Sequence, residues 1–502
     1  MEYIRICRQV IMNHTCNMIA KSDNYNIYIY SENSADVSES DNRAIREFYK
    51  VAGEYNAEKN GGMRLRVHLV LMSQALVNVL RRMPLEGEMA RNIELYAYTV
   101  EDLWSMELLG IRPGEKALLD RKPITAESEV RVHLVLFGVT GQAESLAVHT
   151  ALTAHFPNYC RDNSLRTRIT WVGDSLGEFS RFRQQYRNLL ENSFHRTVAI
   201  DSGEVVVNSF APKYIAERRD FVDVEWEFVE GKSHSDAIRY KLCRWASDEN
   251  QLLTVAFCYD GDDRNINEAL ALPLNSMPQF PVLLRVKDDA SISFLKQSAS
   301  FSQLKPFGMD DAGLNRMGEF IDMAQYINYA YCKMRSTSQS ERERGATDMI
   351  VATELPTLEE LQELWNNSVL TTAKRWSNIY NAFTLNTRMR SMGHPFDAWH
   401  KLFAVGDSEV EVMAEVEHNR WSVEELILGY TPTTADEHNA IMNDIGLRNK
   451  LKAEFKHDDL RNYSELGTDD TGLPVSRYDA AIIRTLPLIA YSYSISKGGK
   501  DE

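Results

Sequence analysis

Four stretches of the chain combine residue types and spacing that could do chemistry. The first is Leu136-Phe137-Gly138-Val139-Thr140-Gly141-Gln142, set between an apolar run and a helical pattern. A turn from strand to helix needs glycine there so that backbone N–H groups can approach a phosphate at the helix N-terminus. Gly138 and Gly141 stand as the second and third glycines of a GxGxxG fingerprint, with Thr140 and Gln142 beside them, and Leu136 stands at the first. The acid that this fingerprint expects about 20 residues on has no counterpart at a strand end. Asp174, at the end of the next strand, is the nearest equivalent and comes later. A tight turn without any ligand is the competing reading. The second stretch, Tyr259-Asp260-Gly261-Asp262-Asp263, closes the most apolar strand. Asp260 there could hold ribose hydroxyls or a cation, or the run could be an ordinary solvated turn and helix cap.

The third stretch, Gly173-Asp174-Ser175-Leu176-Gly177, fits GxSxG between a strand and a helix, as a nucleophile elbow requires. A serine needs a general base to become nucleophilic. No histidine occurs between His234 and His394, and no HGGG-type oxyanion segment is present, so hydrolysis is set aside. The fourth is the helical run Glu411–Leu428, ended by Gly429-Tyr430 and Pro432. On it Glu417 and His418 lie four and three residues before Trp421 and share its face. With Arg420 and the later His457-Asp458-Asp459 turn, this makes an aromatic surface beside ionisable groups, able to stack a planar ligand and fix its polar edge. The competing reading makes Trp421 the anchor of a small helical core. Nothing here has the spacing of a zinc site.

These residues need a scaffold, and the pattern supplies one. Strand patterns at Tyr25–Tyr30, Arg66–Met72 and Asn92–Thr99 alternate with helical patterns at Asp41–Tyr55 and Gln74–Met83. A second series runs through Arg131–Phe137, Arg168–Val172, Val222–Val229, Leu252–Tyr259 and Pro281–Val286, with helices over Glu178–Leu190, Ser235–Ala246 and Phe320–Met334. Strands alternating with helices imply βαβ crossovers and a largely parallel sheet. The string Arg-Val-His-Leu-Val-Leu occurs at 66–71 and again at 131–136, which points either to two related halves or to convergence of buried strands. Val222, Val224, Trp226 and Phe228 alternate with acidic residues, which predicts an edge or partly covered strand. Pro113–Ser128 and the Ser-rich 336–348 segment read as loops, and helices at Leu358–Trp365 and Ala373–Met392 follow. The expected order is an N-terminal α/β domain over 1–125, a nucleotide-type core over 126–335, a linker and helical connector over 336–400, and a helical module over 401–502.

A net charge of −16 disfavours a general nucleic-acid coat, since such binders show a basic face. The six cysteines are scattered without a CxxC pair, as in a reducing, cytoplasmic setting. The first 16 residues mix charges into their apolar positions, unlike a signal peptide, and no apolar stretch predicts membrane insertion.

Residues about 130–310 resemble the TrkA-N type of Rossmann domain, through the glycine turn, Thr167-Arg168-Ile169-Thr170 and Asp260 to Arg264-Asn265. That resemblance implies NAD(H) or an adenine nucleotide as ligand, although Leu136 and the displaced acid depart from the pattern. The pattern Ala414-Glu415 to His418-Asn419-Arg420-Trp421, then Gly429-Tyr430, resembles the opening of the ryanodine-receptor (RyR) domain. Leu451 to Leu460, Tyr463 to Leu466 and Tyr478-Asp479 to Pro487 resemble its second half, with His457-Asp458 where channel-type repeats carry His-Pro. It implies a non-catalytic sensing or interaction module, in bacterial versions one for nucleotide-like molecules. The expectation is a ligand-sensing regulator. A nucleotide-type small molecule sits near Gly138, Thr140, Gly141, Gln142, Asp174 and Asp260. A second ligand or an unknown protein partner engages His418, Arg420, Trp421, His457 and Asp458, and a homo-oligomer is left open. The rival readings are an NAD(P)-dependent oxidoreductase, whose candidate bases His133 and His149 fall mid-strand and mid-helix, and a structural scaffold with a degenerate fold.

Overall fold

The computed structural model describes residues 20–496 except 23–25, 32–36, 61, 111–115, 201–204, 213–220, 275–276, 310–313, 335–339, 341–350, 368–369, 396–398, 400, 442–443 and 470–471. The expected N-terminal stretch and nearly all of the 336–348 loop lie outside the described residues. The chain divides into two compact units, one of residues 1–107, 308–329 and 356–382, the other of 108–307, 330–355 and 383–502. No described helix is long and apolar enough to cross a membrane.

The smaller unit is built on four strands in the order β1 (Ala20–Ser22), β2 (Asn26–Tyr30), β3 (Leu65–Leu71) and β4 (Ile93–Thr99). β2, β3 and β4 run parallel, and β1 is antiparallel to β2. Alternate residues face opposite sides of a sheet. One side carries Ile27, Ile29, Val67, Leu69, Leu95 and Ala97, packed with Ala44, Phe48 and Val51 of helix α1 (Val37–Glu54). The other carries a row of Tyr28, His68 and Tyr96, stacked at 4.3 and 5.2 Å. Helix α2 (Gln74–Arg82) follows β3, capped by Ser73.

The larger unit holds an eight-stranded sheet. Its strands are β5 (Arg131–Phe137), β6 (Thr167–Gly173), β7 (Phe194–Ala199), β8 (Val205–Phe210), β9 (Val224–Glu230), β10 (Gln251–Phe257), β11 (Val282–Arg285) and β12 (Leu304–Phe307). They lie in the order β12-β11-β10-β5-β6-β9-β7-β8, and only β7–β8 pair antiparallel. The fold is thus α/β with a large, mostly parallel sheet. The predominantly apolar strings of β5 and β10 sit inside it, buried on both faces as parallel strands require, with His133 and Thr254 hydrogen-bonded within. Helix α3 (Gly141–Thr153) follows β5 and is buried beyond its exposed first residue.

One expectation narrows and another changes. β9 lies between β6 and β7, so of the edge and partly covered positions that its alternation left open only the partly covered one stands. The continuous helix expected over Glu178–Leu190 is broken into a 3₁₀ turn at Leu176–Phe179 and short helices at Ser180–Gln185 and Arg187–Glu191. Tyr186 leaves the helical region (φ −108°, ψ 33°) as its ring packs on Phe182. The repeated six-residue string also does not bring a repeated topology: β3 lies between its chain neighbours β2 and β4, whereas β5 lies between β6 and β10.

Helices α4 (Asp407–Ile427) and α5 (Ser476–Ser496) pack together in the larger unit, and α4 also packs on α3. A two-residue parallel bridge joins Thr431–Pro432 to Lys456–His457.

Candidate functional site

Six strands of the large sheet, β5, β6, β9, β10, β11 and β12 numbered one to six along the chain, lie in the order 6-5-4-1-2-3. The order reverses between β5 and β10. Open parallel sheets bind ligands in the crevice outside the strand carboxyl ends at such a switch point. The sequence-predicted residues Gly138, Thr140, Gly141, Gln142, Asp174 and Asp260 all follow the carboxyl ends of β5, β6 and β10, because parallel strands deliver their trailing turns to one edge.

Gly138 has φ +90°, a conformation that favours glycine. Its own groups are spent inside the sheet: its N–H donates to the Val172 carbonyl at 3.1 Å, and its carbonyl accepts from Trp171 Nε1 at 2.8 Å. A Cβ on Gly138 would lie 2.8 Å from Cδ1 of Tyr259. The close approach that glycine permits is therefore used by a tyrosine ring, where a dinucleotide fingerprint would use it for a phosphate. Thr140 caps α3 by accepting from the Ala143 N–H at 3.3 Å and donates to the Cys258 carbonyl at 2.6 Å, which ties β5 to β10. Gly141, the first helical residue, is exposed, and Gln142 is buried. Gly173 is enclosed in the same way, since a Cβ there would meet Glu178 at 2.7 Å and Val139 at 2.8 Å. The Glu178 carboxylate accepts from the Asp174 N–H at 3.1 Å.

Tyr259 is nearly buried, and its hydroxyl donates to Ser233 at 3.1 Å. Asn265 clamps its backbone from both sides, accepting from the Tyr259 N–H at 2.8 Å and donating to its carbonyl at 2.9 Å. The Arg264 guanidinium covers the ring at 3.6 Å and reaches Asp174 at 3.6 Å, both partners half-exposed. Burial raises the Tyr259 phenol, an effect that Ser233 and Arg264 moderate. Burial also pushes the neighbouring Cys258 thiol up to about 12, which leaves it inert. Asp260 points outward in an exposed pair with Arg285 at 2.8 Å. The crevice is thus closed by one aromatic side chain under one mobile-length arginine. The Arg264-Asn265 pair was visible in the sequence; Tyr259 as the closing group was not, because its role comes from packing across two strands far apart in the chain.

The C-terminal residues separate into a buried set and a half-buried set. Arg420 is fully enclosed and donates to Glu417 at 2.9–3.1 Å and to Glu424 at 2.7 Å, while Arg388 meets Glu417 at 2.5 Å. Burial alone would raise the Glu417 carboxyl, but the two arginines hold it low. His418 is also buried. Its Nε2 donates to the Arg461 carbonyl at 2.8 Å and its Nδ1 faces Asp479 at 3.5 Å. Burial disfavours the imidazolium, yet these two acceptors outweigh it and raise the His418 pKa. Asp458 accepts from Thr433, His438 and Arg461 at 3.1, 2.6 and 3.2 Å. Arg420, His418 and Asp458 are thus engaged by partners inside the larger unit. Trp421 and His457 remain partly exposed, edge to face at 4.9 Å, with Tyr430 at 6.0 Å from His457. Burial, then Lys452 and His418, lower the His457 pKa to about 3, so this ring is neutral.

No family model, curated protein or solved structure matches this chain.

Proposed function

We propose that the chain is a cytoplasmic regulator answering to a nucleotide-type anion at the carboxyl edge of a Rossmann-like core, the crevice being in a closed state. The observation that carries this reading is the convergence of Arg264, Asp174 and the exposed start of α3 at the switch point between β5 and β10. A helix N-terminus attracts negative charge, and a guanidinium recognises phosphate in a bidentate way. Rotation of the Tyr259 ring would free Arg264 and open the space over Gly138. NAD(H) or an adenine nucleotide is the ligand class. The RyR-like module would take its second ligand or protein partner on the face of Trp421, Tyr430 and His457. A closed site weakens apparent affinity by the fraction of open molecules. Titration calorimetry with NAD⁺, NADH and ATP on the wild type and on Tyr259→Ala tests this. The variant should bind at least one of them roughly tenfold more tightly than the wild type. No heat in either protein would overturn the reading.

A scaffold with a degenerate core is the second reading, and the tyrosine seated on Gly138 is what favours it. An oxidoreductase is less well supported, because His133 and His149, its candidate acid–base groups, are both buried within their elements.

A further inference from the structure

The amino-terminal half of the large sheet carries a recess that is separate from the carboxyl-edge crevice. On one face of β6, β9 and β7, the register sets Arg168 beside Glu225 and Phe194 in one row. Thr170, Glu227 and Arg196 form the next row, with Ser209 of β8 beyond Arg196. The following row is Val172, Val229 and Val198, so the polar rows end before the carboxyl edge. A parallel sheet ordinarily covers both faces with helices and apolar side chains. Here four charges stand where apolar residues are expected.

Their arrangement is ordered. Glu225 and Glu227 are central on β9, with Arg168 on one flank and Arg196 on the other. Arg168 Nε lies 2.5 Å from Glu225, and Arg131 reaches the same carboxylate at 3.3 Å. Arg196 pairs with Glu227, whose other oxygen is 3.5 Å from Thr170. Glu227 is buried, whereas the Arg196 side chain is about one-third exposed. Phe194 also lines the recess, whereas the Phe210 ring stands opposite His195 and stacks on it at 4.8 Å on the other face of the sheet. The volume of the recess is about 140 Å³, close to that of a cavity holding a benzene ring.

Partly buried charges cost desolvation energy and need compensating partners. A centre of carboxylates flanked by guanidinium groups is complementary to a molecule carrying both an ammonium and a carboxylate. We propose that this recess binds a small zwitterion of the amino-acid class. Its ammonium meets Glu227, its carboxylate meets Arg196, and an apolar side chain lies against Phe194.

The test is calorimetry and thermal shift on the full chain with four probes. These are L-phenylalanine, L-leucine, phenethylamine without the carboxylate, and 3-phenylpropionate without the ammonium. At least one amino acid should bind, and each truncated analogue should bind at least about tenfold more weakly than phenylalanine, because it forgoes one of the two ionic contacts. Arg196→Gln should weaken binding by a similar factor, and Arg196→Lys should recover part of it. Arg196→Gln leaves Glu227 without its cation and could perturb folding. Ser209→Trp, which fills the recess from its exposed rim and leaves every charge in place, therefore provides a second check and should abolish binding. Absence of binding by both amino acids overturns the proposal, as does unchanged binding in Ser209→Trp or equal binding of the truncated analogues.

Discussion

The string Arg-Val-His-Leu-Val-Leu appears twice, and its two copies end in different chemistry. Each is a central parallel strand followed by a hydroxyl-capped helix. In the smaller unit, the turn after β3 directs its Met72 and Ser73 N–H groups to the two oxygens of Asp41, at 2.9 and 3.0 Å. Asp41 is buried and also accepts from Ser31 at 2.6 Å. An internal carboxylate occupies the place an external anion would take. In the larger unit, the turn after β5 has one more residue, begins with a left-handed glycine and is closed by an aromatic ring that has its own rotatable bonds. The strand string therefore says where a turn will be, and the residues after it decide whether a ligand could use it.

Acid should test what the two copies share. His68 sits between Tyr28 and Tyr96 with Nδ1 2.9 Å from the Tyr98 hydroxyl. His133 is held by Gln251 at 2.7 Å and Thr170 at 2.8 Å. Burial, then Arg66, lower the His68 pKa to about 3. Burial, then Arg168, also place His133 well below its ordinary value. Between about pH 6.5 and 3 the unfolded chain binds more protons, so stability is full above the unfolded pKa and falls as pH drops. His68 alone should cost about 3 kcal/mol between pH 6.5 and 4. Denaturant titrations across that range should show the loss, and His68→Phe, which keeps the stack, should flatten it. An unchanged slope would remove His68 from the account. A smaller effect separates the two turns. Gly138→Ala should destabilise by roughly 2–3 kcal/mol from backbone strain and the clash with Tyr259. Adding Tyr259→Ala should relieve the ring's share of the clash, leaving the strain and the close approach of the Tyr259 backbone N and Cα at 3.0 and 3.1 Å. If the double variant gains nothing, the ring is not what presses on Gly138.

Much of the scaffold was legible because burial on both faces gives β5 and β10 dense apolar stretches, interrupted inside only by His133 and Thr254, which need no tertiary information to recognise. The β7–β8 hairpin was not legible. Phe194-His195-Arg196-Thr197 mixes charge into a strand because one of its faces carries the charged rows, so the usual apolar alternation is lost. At the switch point, the chain order of strands and turns suffices to bring Gly138, Asp174 and Asp260 to one edge. The closure by Tyr259 and Arg264 depends on side-chain packing between β5, β10 and the helix Asp262–Leu270, which no local pattern encodes. The same limit applies to Arg420. Its helix position beside Trp421 suggests a ligand contact, but Glu417, Glu424 and the neighbouring Arg388 enclose it in a buried ionic network. Such a network is costly to break, and one released from it would leave charges unpaired.

The contrast between the turns is sharpest at Asp41, where the expected effect is smaller but the sign of a ligand response is diagnostic. Asp41→Ala removes the acceptor of two backbone N–H groups and one hydroxyl, and hydrogen bonds to a charged group contribute about 1.5 kcal/mol or more each in isolation. Some of that is regained by water at the sheet edge, so a net loss of about 1.5 kcal/mol is expected from chemical denaturation. The freed Met72 and Ser73 amides then form a small anion site. Inorganic phosphate should raise the melting temperature of Asp41→Ala more than that of the wild type, since only the variant has those donors open, and a ligand bound to the native state stabilises it by mass action. Asp41→Asn, which keeps one oxygen acceptor, should fall between the two in both stability and phosphate response. Equal phosphate responses in all three proteins would mean that the carboxylate does not stand in for an anion, and the distinction drawn between a self-filled turn and a gated one would then rest on Tyr259 alone.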